Sequence, residues 1–88
     1  MRESEIENYL VARVKALGGE VRKVRWIGRR GAPDRLVMLP ARPCVWVELK
    51  APDEKPKPHQ QREHDRMRGM GQVVVVVDSL EGVDGVLA

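Results

Sequence analysis

The sequence predicts an α/β domain, in which a small mixed sheet is flanked by helices in the order αβββαβ and a short helix follows at the end. Three observations lead to this fold class. Apolar residues recur at helical spacing near the N-terminus, two strand-like segments flank a four-residue turn, and five consecutive valines follow a second helical segment. A strand, a helix and a further strand in this order form a parallel pair. The length is that of one domain, residues 1–88.

The first half of the chain is predicted to form one helix and three strands. Their ranges are residues 3–17, 20–27, 35–39 and 44–50. The helix is indicated by Ile6, Leu10 and Val14, which repeat every four residues, and two glycines follow its end. Valine, tryptophan and isoleucine favour the first strand, although they alternate imperfectly. The four residues between the second and third strands include two prolines and predict a hairpin connection.

The second half is predicted to form a helix, a strand and a short last helix. The helix is predicted over residues 58–70, because proline is tolerated in a first helical turn. The valines at 73–77 predict a strand that is buried on both faces and parallel to the strand before the helix. Ser79 belongs to the residue types that cap helices, so the apolar residues after it predict the last helix.

Composition narrows the functional classes without fixing one. The chain has 16 basic and 13 acidic residues, and eleven of the basic residues are arginine, which suits phosphate contact. A basic surface is typical of nucleic-acid binding and also of an ordinary solvated coat. Cys44 is the only cysteine, which excludes an internal disulfide, and its valine neighbours predict a buried side chain. Neither a signal peptide nor a membrane span is evident, so a cytoplasmic protein is expected.

Three ionisable residues are predicted to meet at one end of the sheet. The hairpin turn centres near residue 41 or 42, which places Asp34 opposite position 48 or 49. Glu48 and Lys50 are two residues apart and therefore project from the same face of their strand. A carboxylate on a central strand needs a partner or a metal ion. Two carboxylates at a strand end suit Mg²⁺ or Mn²⁺, and the lysine would orient water or neutralise developing charge. The alternative is a salt bridge of Lys50 with either carboxylate.

The sequence resembles a known family at these residues. The resemblance rests on Gly-Ala-Pro-Asp-Arg at 31–35, Trp-Val-Glu-Leu-Lys at 46–50, and Gln60. These segments resemble the VRR-NUC family of the PD-(D/E)xK, restriction-endonuclease-like superfamily, in its stand-alone phage or bacterial form. The resemblance implies a restriction-endonuclease-like fold. It also implies an endonuclease that uses Mg²⁺ or Mn²⁺ to hydrolyse DNA phosphodiester bonds, selective for Holliday junctions or other branched DNA.

The resemblance also assigns metal ligands. It implies that Asp34 and Glu48 bind the ion together with the backbone carbonyl of Leu49, and that a glutamate of the first helix completes the site. The candidates for this glutamate are Glu3, Glu5 and Glu7. Glu7 is preferred, because apolar residues lie three, four and seven positions after it and share its helix face.

Further site residues follow from the same resemblance. The glutamine of the family corresponds to Gln60 or Gln61, and Gln60 is preferred because it shares a helix face with His64 and Met67. Its partner would be the lysine or a phosphate, and the alternative is a helix-start residue without a role. Candidates for DNA phosphate contacts flank the site; they are Arg29, Arg30 and Arg35, with Lys23 and Arg25 next. A solvated charge is the alternative for each of them.

Other conspicuous residues receive structural interpretations. Trp26 and Trp46 are expected to pack in the buried core, and the alternative is that they stack on nucleic-acid bases. His59 and His64 are five positions apart, which does not suit a shared metal site on a helix, so neither receives a catalytic role.

A homodimer is expected from the small size and from the resemblance. A short domain buries little surface, and a two-fold dimer would bring two active sites to a four-way junction. The interface is left open between the last helix, through Leu80, Val83 and Leu87, and an exposed edge strand. The rival function is a non-catalytic basic DNA-binding module.

Overall fold

The predicted order of elements is present in the computed structural model, which describes residues 1–88. The helices and strands are α1 (Glu3–Ala16), β1 (Glu20–Lys23), β2 (Arg35–Met38), β3 (Val45–Leu49), α2 (Pro58–Gly69), β4 (Val73–Val77) and α3 (Leu80–Leu87). The strands form one mixed sheet in the order β1-β2-β3-β4. The first two pairings are antiparallel and the last is parallel. The α/β fold class, with helices flanking a small mixed sheet, is confirmed.

The hairpin register agrees with the sequence prediction. Arg35 pairs with Val47 across β2 and β3. The same register, continued by one residue, sets Asp34 opposite Glu48. The turn between these strands contains Ala41 in the left-handed region, with φ of 58°.

The first strand is shorter than predicted, because the chain leaves the sheet after residue 23. Val24 N–H still donates to the carbonyl of Asp34 at 2.9 Å. Beyond that bond the Trp26 ring packs on Trp46, with 5.1 Å between ring centroids, and its indole N–H donates to the Pro33 carbonyl at 2.8 Å. Residues 24–34 therefore form an anchored loop and not a strand. The two tryptophans pack on each other, but both are only partly buried and lie outside the aliphatic core, so the expectation of interior packing is wrong.

The two faces of the sheet have different cover. Alternate residues of the strands point to one face and contact α1 and α3, where ten buried aliphatic side chains form the core. The core residues are Ile6, Leu10, Val14, Val37, Leu39, Val47, Leu49, Val77, Val83 and Leu87. The opposite face is covered by α2, which contacts β4 and buries Met67 beside the sheet.

The last helix begins as predicted, with the Ser79 hydroxyl oxygen accepting from Gly82 N–H at 2.9 Å. Val83 and Leu87 are buried in the core. Of the two dimer surfaces left open by the sequence, the last helix therefore cannot use these two residues, because packing against α1 already covers them.

Two further expectations need correction. Cys44 is exposed and not buried, because it lies in the turn just before β3, outside the alternation that buries Val45 and Val47. The valine strand β4 is not buried on both faces throughout, since it lies at the edge of the sheet and Val73 is 43% exposed.

The overall dimensions are small. The Cα trace measures 32 × 31 × 21 Å, with a radius of gyration of 12.5 Å. None of the three helices combines the length and the apolar character that crossing a bilayer requires.

Candidate active site

The predicted catalytic residues meet where β2 begins and β3 ends. Asp34 immediately precedes β2, and its side chain is 62% exposed. The side chains of Glu48 and Lys50 are only 12% and 10% exposed. The site thus has an exposed carboxylate at its mouth and a buried carboxylate and ammonium at its base.

Glu48 is a buried carboxylate with few partners. Its two oxygens lie 3.8 Å from Lys50 Nζ and 3.6 Å from His64 Nε2, and no donor lies at hydrogen-bond distance. Burial raises the pKa of Glu48 to about 6, and the negative charge of Asp34 contributes in the same direction, while the charge of Lys50 opposes both. A carboxylate in this condition has lone pairs available for a cation.

Lys50 is held by the start of α2. Its Nζ donates to Oε1 of Gln60 at 2.9 Å, and the same oxygen accepts the backbone N–H of Lys57, the N-cap residue of the helix, at 2.9 Å. The capping contact fixes the glutamine, which in turn fixes the lysine. Of the partners considered for Gln60, the structure therefore shows the lysine. Gln61 instead donates to Asp65 at 3.0 Å.

The first helix brings its glutamates to different places. Glu7 faces inward, as its periodicity predicts, but its carboxylate accepts from Arg35 Nε at 2.6 Å. Glu3 lies near enough to Glu48 to help raise its pKa. Glu5 accepts from the backbone N–H of Arg2 at 3.4 Å and so lies at the helix start. The choice between Glu3 and Glu7 as the completing ligand stays open.

The Arg35 side chain forms ion pairs with two carboxylates of the site. Its side chain is 14% exposed, and it pairs with Glu7 and, at 3.0 Å, with Asp34. The structure thus gives Arg35 the role of bridging two carboxylates, and its predicted contact with DNA phosphate stays a prediction.

The loop before Asp34 carries the remaining predicted arginines. Arg30 is exposed, and Arg29, with a side chain 46% exposed, lies 3.9 Å from the carboxylate of Glu63. Gly31 fits this loop against the start of α2: its φ is +83°, and a Cβ there would lie 2.7 Å from the His59 carbonyl oxygen. Only glycine meets both conditions.

His64 is a site neighbour to which the sequence argument gave no role. It is 0% exposed, and neither ring nitrogen has a hydrogen-bond partner. Burial lowers the pKa of His64, and the charge of Arg68 acts in the same direction, while the charge of Asp65 and the backbone of Gly31 oppose them. Helical spacing did place His64 on the same face as Gln60, and that was the signal available for finding it.

The residues present fit a hard divalent ion with several water ligands. No three His, Cys, Asp or Glu side chains are close enough together to hold an ion by themselves. Glu48, Asp34 and one backbone carbonyl nevertheless form an oxygen donor set, and Mg²⁺ commonly uses one or two carboxylates and keeps its waters.

The direction of the Leu49 carbonyl follows from the pairing of β3 with its neighbours. Lys50 N–H donates to Val77 on β4, so the backbone of Leu49 faces β2. The register sets Leu49 opposite Pro33, which has no N–H to donate.

Two known proteins are similar to this chain over most of their lengths. No family profile matches the chain. It is 51% identical over 79 residues to a protein named "Putative nuclease p44" from Acyrthosiphon pisum secondary endosymbiont phage 1, and the match covers 90% of this chain and 85% of the relative. It is also similar to a solved structure described as "VRR_NUC domain", with 46% identity and a TM-score of 0.87, over 97% of this chain and 92% of that one.

Proposed function

The chain belongs to the VRR-NUC domain family, and on this premise we propose that it is a metal-dependent endonuclease that hydrolyses DNA phosphodiester bonds. The observation that carries the proposal is the state of Glu48: a buried carboxylate without a hydrogen bond, opposite Asp34 and beside Lys50. Such a group is unfavourable in a purely structural role, and it suits the binding of a cation.

Each residue of the site has a separate task in this proposal. Asp34, Glu48 and the carbonyl of Leu49 would hold Mg²⁺ or Mn²⁺. When bound, the ion polarises a phosphate oxygen and makes a water molecule more acidic. Lys50 Nζ has three N–H groups and gives one to Gln60, so the others can face the attacking water or the charge that develops on the phosphate.

The basic loop supplies the contact with DNA. Arg29 and Arg30 are exposed at the entrance to the site, where they can reach phosphates on either side of the scissile bond. Such contacts give affinity without reading sequence, which agrees with an enzyme that selects the shape of its DNA. Holliday junctions or other branched DNA are the proposed substrates.

A homodimer of the single domain, residues 1–88, is part of the proposal. Two-fold symmetry would present two identical sites to the two strands cut in a four-way junction. Since Val83 and Leu87 of α3 are buried, an edge strand is the surface that remains of the two considered. At the edge formed by β4, Val73 and the neighbouring Met70 are exposed. Sedimentation equilibrium, with and without junction DNA, tests it: a chain that stays monomeric on the junction and nicks one strand contradicts both the dimer and the junction preference.

The central experiment compares matched aspartates. Asp34→Asn removes a proposed ligand, whereas Asp65→Asn changes an aspartate of similar exposure on the outer surface of α2. Both proteins and the parent are incubated with four-way, flap, duplex and single-stranded DNA in EDTA, Mg²⁺, Mn²⁺ or Zn²⁺. We expect the parent and Asp65→Asn to cut in Mg²⁺ or Mn²⁺ only, and Asp34→Asn to bind DNA without cutting it.

Two outcomes contradict the proposal. Cleavage by the parent in EDTA, or a strict need for Zn²⁺, would exclude the oxygen-ligated site. DNA binding by the parent without cleavage in any ion would instead support the rival, a non-catalytic binding module.

A further inference from the structure

A buried histidine lies against the proposed metal carboxylate without a role in the chemistry described so far. His64 is 0% exposed, and both ring nitrogens lack a hydrogen-bond partner. A buried polar group without a partner is unfavourable and rare in folded proteins, so the position of this ring calls for a physical reason.

Glu48 is a charged neighbour of the ring and has free acceptor capacity. His64 Nε2 lies 3.6 Å from one carboxylate oxygen, and Lys50 Nζ lies 3.8 Å from the other. One carboxylate is therefore flanked by a nitrogen on each side. Both nitrogens depend on α2, because Gln60, which holds the lysine, lies one turn before His64 on the same helix face.

The other groups around the ring do not compete for Glu48. Arg68, one turn later, donates through Nε and Nη2 to the carbonyl of Val74, at 3.1 and 2.9 Å. The backbone of Gly31 also raises the pKa of His64, as a carbonyl acceptor beside the ring does. A ring that donated only to Gly31 would turn a nitrogen lone pair towards the carboxylate of Glu48. That arrangement is less favourable than a lone pair facing a neutral carbonyl, because a hydrogen bond to a carboxylate is the stronger of the two.

We propose that His64 is a positioning residue for Glu48: the ring carries a proton on Nε2, donates it to Oε1 in a hydrogen bond, and holds the carboxylate in the orientation that binds the divalent ion. The proposed hydrogen bond requires the separation of Nε2 from Oε1 to shorten from 3.6 Å to about 3 Å. Groups that hold metal ligands in this way commonly set the affinity of the site. The inference rests on the proposed function, since it assumes that Glu48 is a metal ligand.

Two substitutions distinguish the effect of losing the N–H donor of His64 from the effect of losing the volume of its ring. His64→Gln keeps an N–H donor, whereas His64→Met fills space without one. Mn²⁺ affinity is measured by titration calorimetry, and DNA affinity is measured in EDTA. We expect His64→Met to weaken Mn²⁺ binding by about 10- to 100-fold and His64→Gln to bind within a few-fold of the parent. DNA affinity should be unchanged in both, and His59→Met serves as a control that leaves Mn²⁺ affinity unchanged.

A second measurement needs no variant. Long-range ¹H–¹⁵N correlation spectra of the parent, in EDTA, report which ring nitrogen of His64 carries the proton. A proton on Nε2 supports the inference, and a proton on Nδ1 alone overturns it. This measurement decides the question even if His64→Met does not fold.

The same measurements test the positioning role of His64 separately from the proposed nuclease function. If His64→Met binds Mn²⁺ as tightly as the parent, the positioning role is excluded while the nuclease proposal stands. If the parent itself binds neither Mn²⁺ nor Mg²⁺, both are overturned.

Discussion

The two faces of the sheet are built in opposite ways. On the face covered by α1 and α3, all ten residues of the core are aliphatic. On the face covered by α2, the buried residues include Lys50, Glu63 and His64, and the side chain of Glu48 is only 12% exposed. Side chains of one strand, β3, contribute to both faces. Val47 and Leu49 point to the core, whereas Glu48, and Lys50 just after the strand, point to the face covered by α2.

The contrast shows where stability and chemistry are located. Burying an aliphatic side chain contributes roughly 1.5–3 kcal/mol, so the core face supplies most of the stability of this small domain. The α2 face does the reverse, because it keeps a carboxylate away from water with its pKa raised to about 6. The core face therefore provides the stability that offsets the unfavourable burial of charge at the site. Four substitutions test this division of stability and chemistry between the two faces.

The largest effect is expected from Lys50→Arg. The proposed role requires a compact ammonium, and the planar guanidinium does not reproduce its position beside Gln60. We expect cleavage to fall about 1000-fold, equivalent to about 4 kcal/mol, with Mn²⁺ affinity retained. Single-turnover rates measure the loss, and Lys55→Arg in the exposed loop is the matched control. Cleavage at the parental rate would reduce Lys50 to a salt-bridge partner.

A loss of stability is expected next, from the core face. Leu10 is 0% exposed, whereas its neighbour Val11 is 42% exposed on the same helix. Leu10→Ala should lower the free energy of unfolding by about 3 kcal/mol, and Val11→Ala by well under 1 kcal/mol. Urea denaturation measures both. Cleavage per folded molecule should be unchanged, and a specific loss of activity in Leu10→Ala would break the separation of the two faces.

A gain of stability is expected from Glu48→Gln. The pKa of Glu48 is about 6 in the folded protein and is raised from 4.5. The folded state therefore binds this proton more tightly, so stability falls as pH rises from about 4.5 to about 6 and remains lower above it. At pH 7.5 the neutral side chain should raise the free energy of unfolding by up to about 2 kcal/mol, with no difference at pH 4.

Urea denaturation of Glu48→Gln in EDTA at both pH values measures this difference, and Glu54→Gln in the exposed loop is the control. A variant less stable than the parent at pH 7.5 would show that Glu48 stabilises the fold. In the presence of Mn²⁺ the order should reverse, because only the parent gains stability from the ion.

The smallest effect is expected from Cys44→Ser. The thiol is exposed in the turn before β3. Surface substitutions of this kind change the free energy of unfolding by less than about 0.5 kcal/mol. A thiol-reactive chromophore should also label Cys44 in the native protein at the rate of an unfolded control, and protection from labelling would place this residue in an interface.

The hairpin explains why much of the site could be predicted from the sequence. Once the turn is placed near residue 41, antiparallel pairing fixes Asp34 opposite Glu48, and the two-residue period puts Lys50 on the face of Glu48. These relations depend only on counting along the chain. The cap of α3 at Ser79 was predictable for the same reason, because it is local.

Relations between elements far apart in sequence could not be obtained by counting. Helical spacing gives the face of α2 on which His64 lies, but it does not give the position of the helix along β3. That position places the His64 ring 3.6 Å from Glu48. Likewise the inward face of Glu7 was predictable, but its pairing with Arg35 depends on the angle at which α1 crosses the sheet. Loop paths, such as the early end of β1, depend on the contact of Trp26 with Trp46.

The dimensions of the domain have a consequence for the length of DNA it can contact. Its longest extent, 32 Å, is close to one turn of B-form DNA, which is about 34–36 Å or roughly ten base pairs. In the proposed complex, one bound copy would follow duplex DNA for at most about one turn. The backbone footprint of each bound copy should accordingly cover about ten base pairs.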